Sequence, residues 1–203
     1  MDNVYSTLTQ EDILKEIKKN NLYIKPLLSE DQIGSITIDL RVGTDFLTMH
    51  QGRDAFIDTS NNKYENRPIR SNFTDTRRKI GESFLLHPNQ PIIFSSLEYI
   101  KLPDDIYGSL SLRSSYSRLG LTISTIVQPG YCGCLSIEII NSGNIPIKLV
   151  SGARILQLKL TRVNLKTNYF KTNRKYTCQV RPISSKANED KDLEILNKIN
   201  SSY

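Results

Sequence analysis

The chain has 203 residues, 38% of them hydrophobic and 24% charged, with a formal net charge of +6. That length buries a sizeable core in one domain without disulfides, and the composition is that of an ordinary globular protein, neither fibrous nor disordered. The longest apolar runs fall short of the roughly 18 residues of a membrane helix, and the polar, acidic start is unlike a signal peptide, so the expectation is a cytoplasmic protein with no membrane partner.

A positive balance favours anionic partners, nucleotides or nucleic acid, without choosing between them. The cysteines, Cys132, Cys134 and Cys178, are odd in number, which argues against a disulfide framework. With only His50 and His87 besides, a four-ligand zinc site is hard to assemble. The H-x-E and P-C-x-x-C pair of the zinc-dependent nucleobase deaminases is absent from the sequence.

The first predicted element is a helix over 10–20. Thr9 suits its N-cap, Asp12 sits where a capping-box acid belongs, and Leu8 and Ile13 have the spacing of a hydrophobic staple. Lys18 and Lys19 end it on the side that the helix dipole favours. From residue 35 the period changes to two: Ile36, Ile38, Leu40 and Val42 share one face, Thr37, Asp39 and Arg41 the other. Asp39 and Arg41 read as a structural ion pair or a subunit contact. Residues 58–78 are polar and aperiodic, which predicts a long excursion loop.

Short apolar runs then follow at 84–86, 92–94, 99–102, 106–112, 121–126, 135–140, 147–150 and 155–160, separated by Pro, Gly, Asn and Asp. Many short strands at this spacing predict a mainly β sandwich or barrel. One helical turn is expected at 115–119, closed by Gly120. In the strand at 135–140, Leu135, Ile137 and Ile139 face one way and Ser136, Glu138 and Ile140 the other. A glutamate among isoleucines is partly desolvated, which raises its pKa toward the range of a proton shuttle; the plainer alternative is a carboxylate facing solvent. Residues 166–181 interleave Tyr169, Phe170 and Tyr176 with Lys171, Arg174, Lys175 and Arg181, a mix that suits a single-strand platform or a lid over a nucleotide. Helical character returns at 188–199, with Leu193, Leu196 and Ile199 on one side.

Four blocks in order resemble the dCTP deaminase branch of the dUTPase-like superfamily. Residues 14–26 lead into the strand at 35–43. Phe84-Leu85-Leu86-His87-Pro88 is followed by Leu102-Pro103 and Gly108. Arg113-Ser114-Ser115 precedes Arg118-Leu119-Gly120-Leu121. Pro129-Gly130-Tyr131 and Gly133 precede Glu138, Asn141-Ser142-Gly143, Pro146, Gly152-Ala153-Arg154-Ile155 and Gln157-Leu158. A later Lys175-Tyr176 and Gln179 are similar to the family's C-terminal lid.

The resemblance implies a distorted β-barrel or jelly-roll of the dUTPase-like type over 1–165, with a short N-terminal helix, and a C-terminal lid over 166–203 that is not an independent domain. It implies a homotrimer with shared active sites, dCTP or a related pyrimidine nucleotide as substrate, no catalytic metal, and Mg2+ accompanying the triphosphate. Glu138 takes the catalytic glutamate's role, with Ser114 and Arg118 completing the site. Arg113, Ser115, Lys175, Tyr176 and Gln179 bind the nucleotide, all but Tyr176 at its phosphates, and Thr125, Gln128 and Tyr131 are base-pocket candidates. The sequence departs from the family at 121–128, where the hairpin is short and Gln128 replaces an acid, and at Leu112, which replaces a glycine. The expected activity is hydrolysis of dCTP to dUTP and ammonia. The alternatives are a catalytically altered or idle nucleotide-binding member, and a bifunctional deaminase and diphosphatase. A nucleic-acid binder ranks last.

Overall fold

The computed structural model describes residues 6–50, 55–60, 68–123, 125–171, 174–190 and 192–200. Strand β1 (Ser6–Thr7) leads into helix α1 (Gln10–Lys18). The Asp12 backbone N–H donates to Thr9 Oγ1 at 3.3 Å, and the Thr9 N–H donates to the Asp12 carboxylate at 3.0 Å. These reciprocal bonds satisfy donors that every helix start leaves open, and they hold the Asp12 carboxyl below its usual range. Leu8 and Ile13 are both buried beside the cap, as the staple spacing predicts. The helix ends at Lys18 and not at Asn20, because Asn20 takes a left-handed φ of 58°.

Strands β2 (Tyr23–Lys25), β3 (Thr37–Met49), β4 (Phe73–Arg77), β5 (Ser83–Leu86), β6 (Ile92–Lys101) and β7 (Ile106–Leu112) follow. The one-turn helix α2 (Ser114–Ser117) precedes β8 (Leu121–Thr122), β9 (Thr125–Val127), β10 (Cys132–Asn141), β11 (Ile147–Val150) and β12 (Arg154–Arg162), and the described chain closes with helix α3 (Asp192–Asn200). The main sheet runs β8-β10-β6-β3-β12-β7-β9, with β1, β2 and β4 added to β12, β6 and β3. All these pairings are antiparallel, and β5 and β11 form a separate two-stranded ladder.

Pairing shifts register between Val42 and Phe46, between Cys134 and Ser136, and between Arg154 and Leu156. Such irregularities bend a strand, and here the sheet curls into a half-barrel around Ile38, Leu40, Phe46, Phe94, Ile137 and Leu158. At the first shift a side chain on Gly43 would put its Cβ 2.5 Å from the Ser95 carbonyl oxygen, so only glycine lets β3 and β6 cross that closely.

The predicted alternation holds at Ile38, Leu40 and Val42, while Ile36 stays half-exposed ahead of the strand. Asp39 and Arg41 do not pair with each other. Arg41, beside the register shift, is 5% exposed and meets Glu98, which is 0% exposed. Its Nη1 donates to Glu98 Oε1 at 2.8 Å and to Gln32 Oε1 at 2.7 Å, and its backbone N–H donates to Glu98 Oε2 at 2.8 Å. Gln32 Nε2 donates to Glu98 Oε1 at 3.1 Å and to the Asp39 carbonyl at 2.8 Å. Asp39 lies instead 3.5 Å from Arg113.

Three predicted stretches need correction, the first being the run at 121–126, which is two strands, β8 paired with β10 and β9 paired with β7. The runs at 92–94 and 99–102 are one strand, β6, because the polar residues between them find buried partners: Glu98 takes Arg41, and Ser96 Oγ donates to the Glu98 carbonyl while accepting from the Leu135 N–H. The 58–78 stretch is not all loop, for its second half turns at Ile69–Asn72 and forms β4 against β3. Ile69 and Phe73 supply the reason, burying themselves with Leu47 and Ile93 in a second small core; residues 61–67 lie outside the described residues. The helical turn before Gly120 is present, with Gly120 at a φ of 89°. Among the described residues no helix is long and apolar enough to cross a membrane.

Replacing Arg41 with Met leaves the Glu98 carboxylate buried without its counter-charge. The expected cost is about 3–5 kcal/mol of folding stability, read as a lower denaturant midpoint.

Candidate active site

Strand β10 carries the centre of the site. Its odd positions from Gly133 to Asn141 are buried and its even ones are not, so Ser136 and Glu138 emerge from the same face of the sheet. Glu138 pairs across the ladder with Ile93 of β6. Solvent reaches its side chain, yet enough protein surrounds the carboxyl that burial raises its pKa above the ordinary 4.5; a hydrogen bond from its own backbone is the smaller, opposing effect. The desolvation decides the direction, because no cation among the described residues counters it.

That face opens onto a cavity of about 370 Å3, within the size range of small-molecule sites. One wall is β9 and the turn after it, bringing Thr125, Gln128 and Tyr131; β10 gives Ser136 and Glu138; the C-terminal segment folds back to give Tyr169, Arg174, Lys175, Tyr176 and Gln179. Tyr131 donates its hydroxyl to the Cys134 carbonyl at 2.7 Å, and burial pushes its phenol further toward the neutral form.

Aromatic contacts dock the segment. The Tyr169 ring, 3% exposed, lies edge-on to Tyr131 with centroids 6.0 Å apart, and the Arg174 guanidinium sits 4.9 Å from the Tyr169 ring centre. Such a stacked cation is worth about 0.5–2 kcal/mol, more as it is desolvated. Tyr169 donates to the Tyr176 carbonyl at 3.1 Å, and the Lys186 N–H donates to the Tyr176 hydroxyl at 2.9 Å. Farther along, the Cys134 N–H donates to the Gln179 carbonyl at 2.7 Å. This last approach needs Gly133, whose φ is 143° and whose added Cβ would lie 2.5 Å from that same carbonyl oxygen.

Three residues that line the cavity each carry a buried polar atom with no partner among the described residues: Thr125 Oγ1, Arg174 Nε and Gln179 Nε2. Buried polar groups are normally hydrogen-bonded, so three orphans on residues that line one cavity from two sides set it apart as a place where polar capacity is left unmet. Gln179 is 5% exposed, which makes its free amide the most costly to leave unmet.

Of the residues singled out in the sequence, Glu138, Thr125, Gln128, Tyr131, Lys175, Tyr176 and Gln179 come together at this cavity. Arg113, Ser114, Ser115 and Arg118 do not line it. Arg113 precedes α2 and reaches Asp39, while Ser114, Ser115 and Arg118 are exposed around that turn. Tyr169 and Arg174 were visible in the sequence only as part of a basic aromatic tail. Ser136 was visible as the same-face neighbour two residues before Glu138, whereas Ile126 and Ile183 had no signal of their own.

A family model described as dCTP deaminase-like matches residues 7–163, which is most of the chain. This chain belongs to the dCTP deaminase-like family. It is a hydrolase of that family. A protein of Methanobrevibacter smithii named "dCTP deaminase, dUMP-forming" is 31% identical over 194 residues, covering 92% of this chain and 98% of its own length. One of the same name from Nanoarchaeum equitans is 37% identical over 168 residues, covering 77% of this chain and 84% of its own. A "dCTP deaminase" of Halorubrum lacusprofundi is 32% identical over 160 residues, with 77% of each chain covered. Among solved structures, the 2'-deoxycytidine 5'-triphosphate deaminase of Agrobacterium tumefaciens matches 78% of this chain and 48% of its own, with a TM-score of 0.58 at 22% identity. That likeness bears out the curled, mainly β fold expected of a dCTP deaminase-like chain.

Replacing Gly133 with Ala forces a methyl group against the Gln179 backbone. The docked segment is expected to weaken by about 1–3 kcal/mol, as overpacking typically costs. Limited trypsin digestion checks this as faster cleavage at Lys175 than in the parent protein.

Proposed function

We propose that the protein hydrolyses dCTP to dUTP and ammonia, with Glu138 as general base and then general acid. The observation that carries this reading is a carboxyl of raised pKa on the wall of a nucleotide-sized cavity whose other side presents cations and unpartnered amide and hydroxyl groups. Water adds to C4 of the cytosine as Glu138 takes its proton. The proton passes to N3, and a proton returned to the amino group lets ammonia leave as C4 becomes a carbonyl. A carboxyl with its pKa pushed toward neutrality suits both directions of this transfer, since it neither holds its proton too weakly nor releases it too reluctantly.

The base would lie against Thr125, Gln128 and Tyr131. Gln128 offers both a donor and an acceptor, the pattern needed along a cytosine edge. Lys175, Tyr176, Gln179 and Arg174 would receive the triphosphate, which arrives as its Mg2+ complex. Ser114, Ser115, Arg113 and Arg118 are assigned to the cavity of a neighbouring copy in a homotrimer. Their exposure, and their separation from the cavity of their own chain, support that assignment. Arg118 would there stabilise the ionised form of Glu138 before water attacks.

A second reading is favoured by the names of several relatives, in which the deaminase also forms dUMP. It adds water attack on the α-phosphate and release of diphosphate. Gln128, an amide where the family carries an acid, cannot serve as a base for that step, and Glu138 is the one carboxylate among the described cavity residues. For this reason deamination alone is the leading reading.

Incubation with dCTP and Mg2+ tests both. Ammonia with dUTP supports the first, ammonia with dUMP and diphosphate supports the second, and nucleotide binding without either product leaves an idle scaffold. Glu138→Gln is expected to lower the rate about 10²–10⁴-fold, the usual worth of a positioned acid–base group, with nucleotide affinity largely kept. In the parent protein, activity requires ionised Glu138, so kcat/KM falls as pH drops through its raised pKa. Burial moves the acid limb above 4.5 and Arg118 of the neighbouring copy draws it back down, so pH profiles of kcat/KM check both, with the limb of Arg118→Ala expected at higher pH than that of the parent.

A further inference from the structure

Cys132 opens β10, and Cys178 lies in the C-terminal segment, next to Gln179. All three cysteines are free thiols, and the sulfurs of Cys132 and Cys178 are 2.8 Å apart. Cys178 reaches this position from a left-handed backbone with φ of 48°, a conformation that non-glycine residues other than Asn, Asp and His rarely adopt. The neighbouring main chain is already fixed in place by the Cys134 N–H bond to the Gln179 carbonyl and by the bare Gly133 beneath it. The thiols are thus brought together by two backbones that a hydrogen bond ties, and need close by less than about 1 Å to reach S–S bonding distance. Cys134 cannot compete for Cys132, since residues two apart on a strand are separated by about 6–7 Å along it. No group of three His, Cys, Asp or Glu among the described residues could hold a metal ion, so the pair does not belong to a metal site of that kind.

We propose that Cys132 and Cys178 form a reversible disulfide, a modification site whose co-reactant is a small-molecule disulfide and whose effect is to staple the C-terminal segment to β10. Cys178, the exposed partner, is reached first. Its thiolate attacks one sulfur of the disulfide RSSR, the S–S bond breaks, and RSH leaves after taking a proton. The Cys132 thiolate then attacks the Cys178 sulfur of the mixed disulfide, and the second RSH departs. Two protein thiols are oxidised to one disulfide, and one RSSR is reduced to two RSH. The Cys132 hydrogen bond raises the Cys178 pKa, so thiolate is scarce at neutral pH and cross-linking accelerates as pH rises. Lys175, Tyr176 and Gln179 flank the bridge, so it fixes the cavity wall that they form. The cross-link itself does not depend on which nucleotide chemistry the cavity performs.

The test equilibrates the full chain with oxidised glutathione at mildly alkaline pH, quenches with acid, labels the remaining thiols and maps peptides without reduction. The expected result is a fall from three reactive thiols to one, Cys134, and a linked peptide pair containing Cys132 and Cys178 that dithiothreitol separates. Cys134→Ser forms the same link, while Cys132→Ser and Cys178→Ser form none. The oxidised parent is cleaved by trypsin at Lys175 several-fold more slowly than the reduced protein, about the effect expected when a bridge suppresses local opening. Persistence of three thiols overturns the proposal. So does glutathione retained on Cys178 without closure, a link through Cys134, or a bond between two chains.

Discussion

The buried contact between Arg41 and Glu98 is the constraint on which the architecture turns. It sits where β3 and β6 shift register, and it draws in Gln32 from the chain ahead of β3. Both Glu98 carboxylate oxygens and both ends of the Gln32 amide have partners within the trio or on the nearby main chain, and such hydrogen bonding is the condition under which a charged pair is tolerated inside a protein. Burial nonetheless pushes the Glu98 pKa upward against the opposing pull of Arg41. The residue therefore marks desolvation not wholly offset by pairing, and its worth lies in fixing one crossing of the two long strands. Gly43 makes the crossing sterically possible, and the pair makes it the one that leaves no charge unmet.

From that crossing the site follows by adjacency. β6 carries β10 on its outer side, and β10's alternation sorts Leu135, Ile137 and Ile139 to the core and Ser136 and Glu138 to the cavity. The cavity acquires its remaining wall only from the far end of the sequence, through Tyr169 packed on Tyr131 and Gln179 bonded to Cys134. Rigid strand and foldable segment thus have separate tasks. The strand holds the Glu138 carboxyl at a fixed place, and the segment brings the cations Arg174 and Lys175 and the Gln179 amide to the opposite side.

Local chemistry was legible in the sequence and remote pairing was not. The capping box at Thr9 and Asp12 depends on neighbours three residues apart, and the pattern around Glu138 depends on neighbours two apart, so both read directly. The resemblance of ordered motifs supplied the mainly β fold and the family. The sequence divides β6 into two runs because Ser95, Ser96 and Glu98 look like a breaker, and only the fold brings Arg41, 57 residues away, to Glu98. Strand β4 was hidden since its cue was two isolated apolar residues, Ile69 and Phe73, in a polar stretch. Arg174 and Tyr169 were seen as a basic aromatic tail, but nothing local says which wall such a tail will cover.

The ranking of strand lengths across the main sheet has one more consequence. Its long members, β3, β6, β10 and β12, are all interior, while the outer positions fall to β1 and β8 with 2 residues each, β2 and β9 with 3, and β4 with 5. An open edge invites a foreign strand to add to it in proportion to the row of unpaired amides it displays. Rims this brief display few. β10 is the exception, for β8 reaches only its Ile140 and Asn141. Farther along the same strand it is the C-terminal segment that takes up the Cys134 N–H through the Gln179 carbonyl, so the segment that walls the cavity also shields part of an edge that would otherwise stand open.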